Sequence, residues 1–190
     1  MEMNLERAKY SIVIHPSLEV RTILKKLKDT LADKVVWYSS RNSEAHITVI
    51  EFEAFESELK AAIDYVKSFC YSEKHLNVSF NKIVSSYSSK CVVALPDRAS
   101  GKGLNGLLQR FRKGFKGVNL IFGSGAHMSI GRKLKYGQID LTENIFPESD
   151  LNFKCDKIAV RKFSGKQYKV IYEFEFLNKP SAGYQFLLFQ

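Results

Sequence analysis

Two histidines in this chain stand in the same local setting. His46 opens the tetrad His46-Ile47-Thr48-Val49, and His127 opens His127-Met128-Ser129-Ile130. In a β-strand residues i and i+2 project to one face, so each imidazole would share its face with a hydroxyl. Ile47, Val49, Met128 and Ile130 would face the other way, towards packed helices. If two such strands converge, two imidazoles can divide a proton transfer between them. One, neutral, takes a proton from an attacking water or hydroxyl, and the other, charged, gives one to the leaving oxygen. The two hydroxyls can hold the non-bridging oxygens of a phosphate between the rings. That set of groups suits phosphoester chemistry without a metal. Two histidines lacking supporting carboxylates make a poor metal site, so neither a metal nor a cofactor is expected.

The triplet His-x-Ser/Thr is short enough to arise by chance. His15-Pro16-Ser17 also matches it, and reads as a decoy: Pro16 ends a strand and Ser17 has the type of a helix cap. What singles out the other two is their place in a longer pattern. The apolar strand Tyr10 to Ile14 runs into His15-Pro16, and Val92 to Leu95 runs into Pro96. Each is followed by a helix and then by a histidine strand. His46 and His127 are 81 residues apart, Pro16 and Pro96 are 80 apart, and the strand around Val78 recurs around Ile158. One order of elements at one offset suggests a duplicated unit with one histidine strand per lobe.

The elements that must position the pair follow from periodicity. Helices are predicted from Ser17 to about Ala32, Glu56 to Phe69, Leu104 to Phe115, and about Asp140 to Glu148. Strands are predicted at Tyr10 to Ile14, Val35 to Tyr38, Ala45 to Phe52, Leu76 to Val84, Lys90 to Leu95 and Ala126 to Arg132. A final hairpin, Cys155 to Phe163 with Tyr168 to Leu177, turns at Ser164-Gly165-Lys166. The expected class is α+β: a bilobal duplicated fold with two mainly antiparallel sheets lining a central cleft and helices outside. Residues 1–177 form one bilobal domain, and 178–190 an apolar C-terminal tail.

Bulk properties narrow the partners. The chain has 190 residues, is 45% hydrophobic and carries a net charge of +9. It can bury a core, and its basic surface favours anionic partners such as nucleotides, RNA or acidic lipids without choosing among them. No stretch approaches the roughly 18 apolar residues of a membrane helix, and no signal peptide is visible, so a cytoplasmic protein without membrane contact is expected. Cys70, Cys91 and Cys155, odd in number and widely spaced, fit reduced thiols.

With those residues in hand, the chain resembles the 2H phosphoesterase superfamily, in its branch of 2′-5′ RNA ligases and RNA 2′,3′-cyclic phosphodiesterases. AHITVIEF is similar to the first family motif and AHMSIGR to the second, whose arginine is a frequent extension. The resemblance covers roughly residues 8 to 177. It implies His46 and His127 as the acid–base pair, Thr48 and Ser129 as phosphate-binding hydroxyls, Arg132 as a phosphate contact, and RNA or a nucleotide as substrate. Strict alternation sets Arg132 on the face opposite His127, unless a bulge at Gly131 turns it back. Ile50-Glu51-Phe52-Glu53 departs from the usual ending of the first motif, and carboxylates facing the cleft would repel a polyanion. The competing reading keeps the fold as an RNA- or nucleotide-binding module with little catalysis. A third reading, a protein-interaction scaffold, rests on the apolar tail Tyr184 to Phe189, which could add an edge strand or meet another subunit.

The remaining candidates read as structural. One of Trp37 and Tyr38 belongs to the core, the other could stack a base. Arg110, Arg112, Lys113 and Lys116 read as a solvated helix face, His75 as structural, and Gly123-Ser124-Gly125 as a turn into the second histidine strand.

Overall fold

The structure, a computed structural model, describes residues 6–147 and 150–180. The tail at Tyr184 to Phe189, and with it any joining of two copies, lies outside the described residues. Strand β1 (Ala8–Ile14) ends in five consecutive buried residues, the mark of a strand covered on both faces. It stops at His15-Pro16, and Ser17 caps helix α1 (Leu18–Val35) by accepting a hydrogen bond from Val20 N at 3.3 Å. The strand expected at Val35 to Tyr38 does not form. The helix runs on to Val35 instead, and Val36 breaks it with a φ of 67°. Tyr38 is buried and Trp37 exposed.

Next come β2 (Ile47–Ala54), α2 (Glu56–Ser72), and the hairpin of β3 (Leu76–Ser86) and β4 (Cys91–Pro96). Helix α3 (Arg98–Gly114) starts six residues before the predicted Leu104, because the Asp97 side chain caps it by accepting from Ser100 N at 2.7 Å. Two short strands follow, β5 (Val118–Phe122) and β6 (Met128–Arg132). The helix expected near Asp140 to Glu148 is instead the single turn α4 (Tyr136–Asp140), followed by turns. A separate strand, β7 (Leu151–Cys155), precedes the hairpin of β8 (Lys157–Phe163) and β9 (Tyr168–Glu175).

The architecture is α+β, as expected: a five-stranded sheet of order β5-β2-β1-β8-β9 and a four-stranded sheet of order β6-β4-β3-β7, with every neighbouring pair antiparallel. In the first sheet β2, which starts directly after His46 and not at the expected Ala45, lies beside β1, which ends two residues before Pro16. In the second the strand after His127 lies beside β4, which ends at Pro96. The third strand is exchanged in both cases. β3, from the first half of the chain, pairs with β4, and β8, from the second half, pairs with β1. Each sheet therefore needs chain from both halves.

Helix α2 packs on β2, β8 and β9, α1 on β6 and β7, and α3 on β3 and β4 while also reaching β2. One aromatic cluster joins these layers. Phe111 meets Tyr65 and Phe69 edge-on at 5.1 and 5.0 Å, and Phe115 meets Phe52 at 5.1 Å, tying α2 and α3 to β2. At roughly 1.5–3 kcal/mol for each buried aromatic, this cluster anchors α3 against the first histidine strand.

Candidate active site

The two histidine strands carry the same irregularity. In β2, Thr48 pairs with Val13 and Ile50 with Ile12, which leaves Val49 as an extra residue. In β6, Ser129 pairs with Val93 and Gly131 with Val92, which leaves Ile130 extra. Both bulges fall three residues after the histidine. Burial follows the same sequence in both: Ala45 and Ala126 buried, His46 and His127 half-buried, Ile47 and Met128 buried, Thr48 and Ser129 half-buried, then two buried residues in succession. A bulge reverses the alternation beyond it. Glu51 and Arg132, each five residues after a histidine, therefore turn to the histidine's side and not away from it. The bulge that redirects Arg132 sits at Ile130, one residue before the Gly131 expected to carry it. Gly131 instead makes room between layers, since a Cβ there would lie 2.6 Å from Leu31 Cδ2, where α1 packs on β6.

Each imidazole is fixed by the carbonyl two residues before it. His46 Nδ1 lies 2.7 Å from Glu44 O, and His127 Nδ1 lies 3.0 Å from Gly125 O. A carbonyl only accepts, so Nδ1 carries the proton in both rings and Nε2 is left with a lone pair. Both rings are held below the ordinary histidine pKa. For His46 the shift is large, caused first by burial and then by the Arg161 guanidinium, and only partly opposed by the bond to Glu44. For His127 burial again comes first, the Gly125 carbonyl opposes it, and Arg132 adds to it. Arg132 thus acts on both imidazoles, one from its own strand and one from the other sheet.

Chain connectivity brings the strands together. β5 pairs with β2 through Phe122 with Ile50 and Ile121 with Glu51, and Gly123-Ser124-Gly125 then leads straight to His127. This run is not an interchangeable turn. A Cβ on Gly123 would lie 3.0 Å from Thr48 O, and Gly125 has a φ of 131°. Helix α3 grips both motifs. Arg112 donates to Val49 O at 2.8 Å and to Thr48 O at 3.4 Å, while Asn105 Oδ1 accepts from Ala126 N at 2.9 Å. The two gripping residues are seven apart, two turns or roughly 10 Å along one helix face. Arg112 is therefore no part of a solvated stripe, and Arg110 pairs with Glu73 at 2.6 Å. Lys113 and Lys116 are exposed.

A cavity of about 440 Å³ opens beside His46, and Glu51, Arg132 and Arg161 line it with Phe163, Lys166, Gln167 and Tyr168 of the β8–β9 hairpin. Thr48, His127 and Ser129 do not line it. Of the residues expected from sequence, His46 and Arg132 meet in this cavity, and His127 is linked to it through Arg132 and the Gly123–Gly125 connection.

Two groups here were not foreseen. Arg161 is 4% exposed; its Nη2 donates to Ser11 Oγ at 3.0 Å, its Nε is buried without a partner, and burial brings its pKa down to about 10. Lys28 is buried under the segment that delivers Glu44 and His46. Its ammonium donates to Ser40 O, Ser43 O and Ser43 Oγ at 3.2, 2.7 and 2.9 Å, and burial lowers its pKa to about 8. Ser40 Oγ in turn accepts from Arg132 N at 2.9 Å, joining that segment to the second motif. The decoy His15 is buried as well, its Nε2 3.8 Å from Glu44 Oε2. His75 is exposed ahead of β3.

Among the described residues no group of three or more His, Cys, Asp or Glu is placed to hold a metal ion, and no helix is long and apolar enough to cross a membrane. No protein-family model matches the chain, and no curated protein matches it in sequence. Solved structures do match its fold. LigT of E. coli in complex with 3′-AMP aligns over 90% of this chain and 99% of its own, with a TM-score of 0.66 at 14% identity. A protein solved as a phosphoesterase aligns over 90% and 99%, with a TM-score of 0.58 at 15% identity. Usb1 of Kluyveromyces marxianus aligns over 90% and 99%, with a TM-score of 0.56 at 11% identity.

Proposed function

We propose that this chain, which has the fold of the 2H phosphoesterases, is a metal-independent phosphoesterase acting on a 2′,3′-cyclic phosphate or a 2′-5′ phosphodiester of RNA or a small nucleotide. The observation that carries the reading is the matched geometry of the two motifs. Each has an imidazole with Nδ1 bound to the carbonyl two residues back, a hydroxyl two residues on, and a bulge at the third. A structural histidine has no need of that arrangement twice.

In this reading the scissile phosphate lies between the two Nε2 atoms, with the Thr48 and Ser129 hydroxyls and the Arg132 guanidinium on its non-bridging oxygens. His46, more strongly held neutral, accepts the proton of the attacking water or hydroxyl. His127, less strongly depressed, carries the proton given to the leaving oxygen. Charge on the non-bridging phosphate oxygens meets these donors, so little reorganisation is needed as the reaction proceeds. The likeness to LigT, solved with 3′-AMP, supports a nucleotide in the cleft.

The test is turnover of nucleoside 2′,3′-cyclic phosphates and a 2′-5′ dinucleotide in the presence of chelator. Activity that survives extensive chelation and depends on both histidines supports the reading. Binding of oligonucleotides without any turnover replaces it with that of a nucleotide-binding module.

A further inference from the structure

Between α1 and β2 the chain passes through residues 36–46 without a helix or a strand. This segment delivers His46, yet it has no ladder of backbone bonds to fix it. One side chain of α1 does so. Lys28 lies in the helix's buried stripe with Leu24, Leu27 and Leu31, and is 1% exposed. An ammonium has three protons to give, and this one meets three acceptors of a single turn: Ser40 O at 3.2 Å, Ser43 O at 2.7 Å and Ser43 Oγ at 2.9 Å. The Lys28 carbonyl accepts in turn from the Tyr38 hydroxyl at 2.9 Å, so helix and segment are tied in both directions.

Charge pairing does not explain a lysine in that slot. Asp29 and Glu44 are engaged by Lys25 and Arg21 instead, and among the described residues no carboxylate pairs with Lys28. The charges that act on it, Arg132 and Lys25, have its own sign. A buried cation without a counter-charge is costly, and an apolar side chain of the same length would avoid that cost. What the ammonium adds is its grip on the turn, and both residues it grips adjoin reacting groups. Ser43 precedes Glu44, whose carbonyl takes the His46 Nδ1 proton at 2.7 Å. Ser40 Oγ accepts from Arg132 N at 2.9 Å, on the other sheet. Helix α1 packs on β6, the strand of Arg132, so one ammonium fixes the first histidine relative to the second motif.

Resting on the proposed phosphoesterase function, we propose that Lys28 is a positioning residue for His46: its ammonium holds the turn at residues 40–44 so that Glu44 O keeps the imidazole proton on Nδ1 and leaves Nε2 bare. The hydrogen bond made by one ring nitrogen sets the tautomer of the other. Once Glu44 O moves away, the ring is free to carry its proton on Nε2, and a protonated Nε2 cannot accept one from the attacking water or hydroxyl.

The test compares the full chain with Lys28→Met and Ser43→Ala by two readouts. Imidazole nitrogen shifts, measured by NMR at neutral pH, report which ring nitrogen carries the proton; His127, tied to Gly125 O, is the control in the same molecule. Steady-state kinetics on a nucleoside 2′,3′-cyclic phosphate give the second readout. Lys28→Met is expected to move the His46 proton towards Nε2 while His127 keeps its own on Nδ1. It should lower kcat by roughly 10- to 100-fold with KM little changed, the scale of a small misplacement. Ser43→Ala removes one of the three acceptors at a half-buried turn, and should shift His46 partway in the same direction; it decides the matter if Lys28→Met does not fold. A His46 proton that stays on Nδ1 would overturn the role, as would an equal shift at His127, which would mean general loosening. A shifted His46 with kcat at the wild-type value would overturn it too. Absence of turnover in wild type would sink the phosphoesterase reading, and the His46 tautomer would still decide whether Lys28 holds the ring.

Discussion

Arg161 Nη1 lies 3.4 Å from His46 Nδ1, yet no hydrogen bond joins them. The Nδ1 proton is already given to Glu44 O, and two donors cannot pair. The contact is a buried cation held against an imidazole, which opposes a second positive charge on the ring. His127 has only Arg132 acting in this sense, after burial and against its bond to Gly125. The two rings are alike in geometry and unlike in electrostatics, the condition for one to work as base while the other works as acid.

Arg161→Met should therefore raise the His46 pKa. The acidic limb of the kcat/KM profile, where His46 gains its proton in the free protein, should move to higher pH. Arg161→Lys, which keeps the charge, should restore much of the original limb. A limb that stays in place in Arg161→Met would remove Arg161 from the mechanism and leave it a structural partner of Ser11.

Replacing either histidine tests the pair itself. His46→Ala and His127→Ala should each lower turnover by roughly 10²–10⁴-fold. The double variant should be little worse than the poorer single one, since both groups act on one transition state. Binding of adenosine 3′-monophosphate should fall far less. Single-turnover rates that match wild type in either variant would show that its histidine is not a catalyst. Thr48→Ala and Ser129→Ala should be milder, each removing one hydrogen bond to phosphate.

Helix α3 offers a prediction that leaves every reacting group in place. Arg112→Met abolishes the bonds to Val49 O and Thr48 O at the first bulge, and Asn105→Ala abolishes the bond to Ala126 N ahead of His127. Each should lower kcat more than it changes KM, by about tenfold for a misplacement of less than an ångström. The stability cost should be about 1–3 kcal/mol for Arg112, whose bonds are charge-assisted, and about 1 for Asn105. Urea midpoints and steady-state kinetics on the same preparations separate the two effects. A fall in stability with kcat untouched would mean that α3 merely packs against the motifs.

Much of this site is legible in the sequence because local chemistry wrote it there. The Pro-terminated strands, the Ser17 cap and the alternation Ala-His-apolar-hydroxyl-apolar all depend on neighbours within a few residues. What is missed depends on distant partners. Arg161 is one of 29 basic residues, and nothing near Val160 or Lys162 marks it; its neighbours Ser11, on β1, and His46, just ahead of β2, are far away in the chain. Strand β5 has only five residues, of which Val118, Ile121 and Phe122 are exposed, so its pattern neither alternates nor hides. Helix α3 begins ahead of Gly101 and Gly103, residues of low intrinsic helix propensity, and Gly103 gives Leu76 room to pack. The bulges show only as paired apolar positions, Val49-Ile50 and Ile130-Gly131, and become visible once each strand's partner is known.

His15 carries the last prediction, one of stability. It is 6% exposed, its Nε2 is buried without a hydrogen bond, and its pKa is brought down to about 4. Burial is the main cause; Glu44 opposes it, while Arg161 and Arg21 reinforce it. In the unfolded chain the same ring titrates near 6.5. Between about 4 and about 6.5 the unfolded chain binds a proton that the folded chain refuses, so stability rises with pH across that window. Acidifying from neutrality should cost roughly 3 kcal/mol through His15 alone. His46 and His127, depressed in the same direction, add to the same loss. Urea unfolding at intervals from pH 4 to pH 7 should show this slope, and His15→Leu should reduce it by about one proton's worth. An undiminished slope in that variant would assign the acid lability to the two motif histidines and leave His15 without a part in it.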